Sequence, residues 1–174
     1  QIAGSRKIMS IEKLVITIAA DDRPGVVQTL SDTALAHQAN WLESSLSHLC
    51  GQFVGIVRLA VATAAKDALV TQLNRLAADG IRIPIHGSTP EQAAAELGET
   101  IELYVEANDR PGIVEEITSA IAQTSANVEQ LETWRESASM AGYDLFIAQL
   151  AVSLPRSASV DDLESALEGV SDDL

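Results

Sequence analysis

The sequence predicts an α+β protein made of two successive copies of one small unit, each an antiparallel sheet with two helices on one face. Three observations predict it. The segment Asp22–Val27 recurs as Asp109–Val114, with Ile113 in place of Val26. Each copy follows a short apolar run and precedes apolar residues at helical spacing. The length of 174 residues then accommodates two units of roughly 75 to 85 residues each.

The first copy reads in order as strand, helix, strand, strand, helix and strand. Alternating apolar residues predict the strands, and Gly80 is the residue expected just past a helix end. Pro84 confines the last strand to a sheet edge or a strand end. The predicted segments are Leu14–Ala20, a helix from Val26 that fades between 36 and 39, Trp41–His48, Phe53–Ala62, Lys66–Asp79 and Ile81–Ile85.

The second copy repeats this order, which is that of the ferredoxin-like βαββαβ sandwich. Ser159 and Asp162 are spaced as a capping box for its last helix. The sequence stops at Leu174, where a sixth element should follow, so we expect the last strand of this copy to be missing or incomplete. The predicted segments are Ile101–Ala107, Ile113–Thr124, Val128–Arg135, Tyr143–Val152 and Ser159–Glu168.

The two hairpins differ in predicted length. The repeated turns are offset by 87 residues (109 minus 22), whereas Leu59–Val61 matches Leu150–Val152 at an offset of 91. The second hairpin is therefore predicted to be four residues longer, with the extra residues near Glu136–Gly142.

Four segments follow from these patterns. Residues 1–8 precede Met9 without a clear pattern, and we expect them to be a remnant of recombinant expression. Residues 9–86 form the first domain, 87–98 a linker with a short helix, and 99–174 the second domain. Such small domains often bury more surface by pairing, so we expect the two halves to pack side by side.

Composition excludes several classes of function. The formal charge of −14 argues against direct binding of nucleic acid, because a phosphate backbone needs a basic face. Residues 1–90 carry a net charge of +1 and residues 91–174 carry −15, so an acidic face for a basic partner is an alternative to simple solvation. The single cysteine predicts a reducing compartment, and the lack of a long apolar run predicts a cytoplasmic protein without membrane association.

The repeated Asp-Arg-Pro-Gly turn has two interpretations. Proline suits a first helical turn and glycine adds no side chain there, which leaves free N–H groups that could accept a carboxylate. The alternative is ordinary turn chemistry, with the aspartate capping the helix. In the first interpretation, Gly25→Val and Gly112→Val should weaken ligand binding far more than folding.

These turns, each followed by an Ala-Asn pair at Ala39-Asn40 and Ala126-Asn127, resemble those of the ACT domain. Two ACT domains without a catalytic domain resemble the glycine cleavage system transcriptional repressor family. The resemblance implies a non-catalytic regulator that binds an amino acid such as glycine. Its implied partner is a protein such as a transcriptional activator, and a homodimer is compatible with it. The alternative is a detached regulatory subunit that controls an amino-acid or one-carbon enzyme.

The resemblance also implies ligand-binding residues. Backbone N–H groups at Gly25-Val26 or Gly112-Ile113 would hold a carboxylate. The ammonium group would meet Asn40 or Asn127 and a carboxylate of the turn. The alternative is that each asparagine binds no ligand and is a turn residue that tolerates left-handed backbone geometry. No catalytic residue, metal or cofactor is expected; the candidate site residues are Asp22, Gly25, Val26, Asn40, Asp109, Gly112, Ile113 and Asn127.

Overall fold

The computed structural model describes residues 10–87, 97–137 and 144–171. The chain divides into two compact units, residues 1–92 and 93–174, which are described separately. The predicted remnant at residues 1–8, most of the predicted linker helix and most of the expected hairpin insertion lie outside the described residues. Within those ranges, no helix is both long and apolar enough to cross a membrane.

The first unit is an antiparallel sheet with strand order β2-β3-β1-β4, and β5 also pairs with β1. The predicted last strand is broken in two, because Pro84 lacks the N–H that a continuous ladder requires. The second helix begins at Thr63 rather than Lys66, and its last predicted turn is a 3-10 helix. The elements are β1 (Ile11–Asp21), α1 (Val26–Ala36), β2 (Asn40–Leu49), β3 (Gln52–Ala62), α2 (Thr63–Arg75), the 3-10 helix Leu76–Asp79, β4 (Ile81–Arg82) and β5 (Ile85–His86).

The core of the first unit lies between the sheet and its helices. Alternate residues of β1 and β3 point into it, as the period of a strand requires. Leu30 of α1 and Leu69 and Leu73 of α2 close it, each with a relative exposure of 0%. Also buried are Leu14, Ile16, Ile18, Ala20, Val57, Leu59, Val61 and Ile81 of the strands and Ile83 between β4 and β5.

The second unit has a sheet of strand order β6-β8-β7, and its described residues include no fourth strand. Gly98 belongs to β6, so this strand begins inside the segment 87–98 that was predicted to be a linker. A Cβ at Gly98 would lie 2.2 Å from the Leu154 carbonyl oxygen, which explains a glycine inside this strand. The elements are β6 (Leu97–Asn108), α3 (Ile113–Gln123), β7 (Asn127–Ser137), β8 (Asp144–Pro155) and α4 (Val160–Ser171).

The strand register corrects the predicted hairpin length. Leu14 pairs with Leu59, and the equivalent Ile101 pairs with Val152. The third strands are therefore offset by 93 residues (152 minus 59), not 91, and the second hairpin is six residues longer, not four. The misleading Leu-Ala-Val match is displaced by two residues, which keeps each side chain on the same face of the sheet.

The predicted α+β class with two ferredoxin-like units is confirmed by the order of elements and the antiparallel sheets. The predicted capping box of α4 is confirmed as well. The Asp162 N–H donates to Ser159 Oγ over 3.2 Å, and the Ser159 N–H donates to Asp162 Oδ2 over 3.3 Å. The Ser159 hydroxyl also donates to Asp162, and its hydrogen bond lowers the pKa of that carboxyl below the ordinary value of 3.8.

Candidate functional site

The two Asp-Arg-Pro-Gly turns adopt the same backbone geometry. Gly25 and Gly112 are the N-cap residues of α1 and α3, with φ of 93° and 94°. This is the left-handed region, which glycine adopts without the strain that a side chain brings. The glycines are therefore favoured by their backbone conformation, and valine at either position is expected to cost folding stability as well as any ligand binding.

The aspartates of the turns do not cap the helices: the N-cap residues are glycines, and among the described residues no helix N–H donates to the Asp22 or Asp109 carboxylate, the latter of which pairs with Arg135. The capping interpretation is therefore wrong. Instead, the main-chain N–H of each aspartate hydrogen-bonds to the hairpin formed by the second and third strands of its unit. The Asp22 N–H donates to the Gly51 carbonyl and the Asp109 N–H to the Asp144 carbonyl, both over 2.9 Å.

The prolines and the first helical residues also differ from expectation. Pro24 and Pro111 precede the N-cap glycines, so they lie outside the first helical turn in which they were predicted. The side chains of Val26 and Ile113 are only 4% exposed and belong to the two cores. The polar groups that these two residues can offer a ligand are those of their main chain, and the Ile113 N–H already donates to the Arg110 carbonyl over 3.4 Å. The next N–H groups, those of Val114 and Glu115, are among the first in α3, which lack intrahelical acceptors.

An arginine that the sequence did not single out lies beside the second turn. Arg135 pairs across the sheet with the core residue Phe146, so it lies on the helix-covered face. Its Nε lies 2.8 Å from Asp109 Oδ2, and its Nη2 lies 2.6 Å from Asp144 Oδ2. These two carboxylates orient the guanidinium. Among the described residues its Nη1 has no hydrogen-bond partner.

A second arginine braces the turn itself. Arg110 donates through both terminal nitrogens to the carboxylate of Glu116, one turn into α3. This hydrogen bonding lowers the pKa of Glu116 below its ordinary value, so the carboxylate stays charged to lower pH than an ordinary glutamate does. The pair fixes the turn against the start of the helix at two points.

These groups surround a cavity of about 490 Å³ within the second unit. Apolar side chains of Ile113 and Phe146 contribute to its lining, and both signs of charge occur around it. Such a lining suits a small molecule that carries both charges and an apolar part. The full lining is Asp109, Arg110, Gly112, Ile113, Val114, Glu115, Thr133, Trp134, Arg135 and Phe146.

The first turn has a smaller cavity, of about 290 Å³. Arg23 there donates to the Asp79 carbonyl at the end of the 3-10 helix, and does not pair with a residue of α1. His48 occupies the position equivalent to Arg135, next to Phe53 as Arg135 is next to Phe146. The two turns therefore share their backbone but not their charged groups.

The predicted asparagines lie far from the turns. Asn40 pairs with Ala60, which is level with Lys13, whereas the first turn follows Asp21. At about 3.3 Å per residue, Lys13 and Asp21 are roughly 26 Å apart. Asn127 is at the same position in the second unit, where its amide donates to Glu129 over 2.8 Å. Within a unit, the structure does not bring an asparagine and a turn together.

Comparison with known proteins concerns mainly the first unit. Residues 12–80 match the family model of the ACT domain. The first unit is therefore similar to the ACT domain over most of its described length. The second unit repeats its order of elements, so the chain has a tandem ACT-like architecture, and ACT domains are regulatory ligand-binding modules.

Two solved structures are similar over nearly the whole chain. One is an unknown protein from Galdieria sulphuraria, with 28% identity, 94% of each chain covered and a TM-score of 0.77. The other is a candidate glycine cleavage system transcriptional repressor, with 18% identity, 92% of this chain and 90% of that chain covered, and a TM-score of 0.68. No curated protein matches the sequence. At this identity the second similarity shows a shared fold.

Proposed function

We propose that this chain is a non-catalytic regulator that binds an amino acid, such as glycine, in the cavity beside Arg135 and acts on a transcription factor by protein contact. The observation that carries the proposal is the grouping of one bare helix start, one oriented arginine and two carboxylates around an apolar floor. A ligand with only one charge would leave either the arginine and helix N–H groups or the carboxylates without a partner of opposite charge.

The chemistry of an amino acid matches each part. Its carboxylate would accept from the Val114 and Glu115 N–H groups and from Nη1 of Arg135, since helix starts and guanidinium groups favour carboxylates. Its ammonium group would meet the Asp109 carboxylate. Its side chain would lie over Phe146, and a cavity of about 490 Å³ accepts residues larger than glycine.

The partner is proposed to be a protein because residues 91–174 carry eighteen acidic and three basic residues, which disfavours direct contact with DNA. The similarity in fold to a candidate glycine cleavage system transcriptional repressor supports a transcription factor as that partner.

Calorimetry against the twenty amino acids tests the ligand. We expect one or a few of them to bind, and we expect acetate and methylamine, which each carry one of the two charges, to bind far more weakly. If none of the twenty binds, the proposed ligand class is wrong. If acetate binds as tightly as the amino acid, the site recognises anions in general.

A further inference from the structure

The sheets of the two units differ most at the outer edge of β6. In the first unit, β4 and β5 pair with the outer edge of β1, the strand equivalent to β6. In the second unit, no strand within the described ranges pairs with that edge. An unpaired strand edge is a template for another extended segment.

Burial shows which side chains remain uncovered beside this edge in the described part of the chain. Leu14, Ile16 and Ile18 of β1 are at most 1% exposed. Their equivalents Ile101, Leu103 and Val105 are only partly buried, although they are also large aliphatic residues on the core face. On α4, Leu167 and Val170 are likewise partly buried. The second core therefore has an open side between β6 and α4.

This open side forms a groove of about 530 Å³. Leu103, Val105 and Leu167 provide its apolar surface. Glu106, Glu164 and Glu168 lie along it, and none of the described residues that line it is basic. A segment that fills the groove must therefore bring apolar side chains for its floor and positive charge for its rim.

The first unit supplies the template for such a segment. Residues 81–86 read Ile-Arg-Ile-Pro-Ile-His, and the side chains of Ile81, Ile83 and Ile85 pack into the first core. The Thr17 N–H donates to the Pro84 carbonyl over 2.9 Å. The N–H equivalent to that of Thr17 belongs to Tyr104, and strand alternation directs it to the outer edge of β6.

We propose that the groove between β6 and α4 binds an extended segment of a partner protein in which aliphatic residues alternate with Lys or Arg. The segment adds a fourth strand to the sheet of the second unit and completes its core. A second copy of this chain is a poorer occupant through its own β6, because Glu102 and Glu106 of both copies would then approach one another. The groove does not include Arg135 or the amino-acid cavity, so the inference stands apart from the proposed ligand.

A labelled peptide with the sequence of residues 80–87 tests the groove, with binding to the whole chain measured by fluorescence anisotropy. We expect saturable binding that weakens as salt increases. Replacing the arginine and histidine of the peptide with glutamate should weaken binding by about tenfold or more, because the rim is acidic. Methylation of the peptide N–H groups that face β6 should abolish binding, since the ladder bonds are then lost.

The Glu168→Lys variant tests whether the peptide binds in the groove. Its matched control is Glu132→Lys, which makes the same charge change on β7, outside the groove. We expect the first variant to weaken binding about tenfold and the second to change it little, with the thermal midpoints of both near the parent value. Arg135→Met should bind the peptide as the parent does, so a failure of the amino-acid site is distinguishable from a failure of the groove.

Three results would overturn the proposal. One is an absence of peptide binding up to roughly 1 mM. Another is that the parent protein binds the glutamate-substituted peptide as tightly as the original one, or that Glu168→Lys binds the original peptide as tightly as the parent does. The third is a stable dimer in sedimentation that Glu168→Lys dissociates and the peptide does not, which would assign the groove to a second copy.

Discussion

Arg135 and Asp109 join the second hairpin to the second turn, with Nε and Oδ2 2.8 Å apart. The side chain of Arg135 is 61% exposed, and ion pairs at such exposure contribute little to stability. The pair therefore serves better to orient a guanidinium beside the cavity than to hold the fold. The first unit has His48 at this position, so the arrangement belongs to the second turn alone.

Arg135→Met should weaken amino-acid binding by about tenfold or more, because a charge-assisted hydrogen bond to the ligand carboxylate contributes about 1.5 to 3 kcal/mol. The thermal midpoint should change little. Calorimetry and thermal melts measure both. Arg156→Met is the matched control, since Arg156 is exposed and does not line the cavity. Equal loss of affinity in the two variants would show that net charge, and not this site, governs binding.

Gly25→Ala and Gly112→Ala should each lower the free energy of unfolding by about 1 to 2 kcal/mol, because a side chain is strained at these φ angles. Space is not the reason: a Cβ at Gly25 meets no atom within 4 Å. Gly169→Ala, in the interior of α4, should have the opposite sign and raise stability by about 0.5 to 1 kcal/mol. Urea denaturation measures all three. A Gly25→Ala variant as stable as the parent would contradict the argument from φ.

The sequence predicted the fold well because hydrophobic alternation and helical spacing are local properties. The strands of both units are found within a few residues of their predicted bounds, and the capping box of Ser159 forms as its spacing indicated. The fourth strand of the first unit was less predictable, since its pairing with β1 depends on where Pro84 interrupts it.

The candidate site was less predictable because it depends on register and on distance along the chain. Arg135 meets Asp109 and Asp144 only when the hairpin register is known, and a match displaced by two residues misassigned that register. One signal was present: alternation along β7 places a charged residue on the core face. Asn40 is near the turn in sequence, but α1 carries the chain roughly 16 Å away from it before β2 begins.

The capping box predicts a pH dependence. Ser159→Ala should destabilise the protein by about 1 kcal/mol near neutral pH, as N-cap substitutions typically do. The pKa of Asp162 is lowered in the folded state, so the stabilisation that its carboxylate provides is present above its ordinary pKa of 3.8. It is lost as the pH falls through the lowered value.

Urea denaturation at a series of pH values checks this. The difference between the parent and Ser159→Ala should shrink in acid, when protonated Asp162 no longer accepts two hydrogen bonds. Ser157→Ala, two residues earlier and outside the box, is the control and should follow the parent at every pH. A difference that stays constant down to acid pH would assign the effect of Ser159 to its hydroxyl alone.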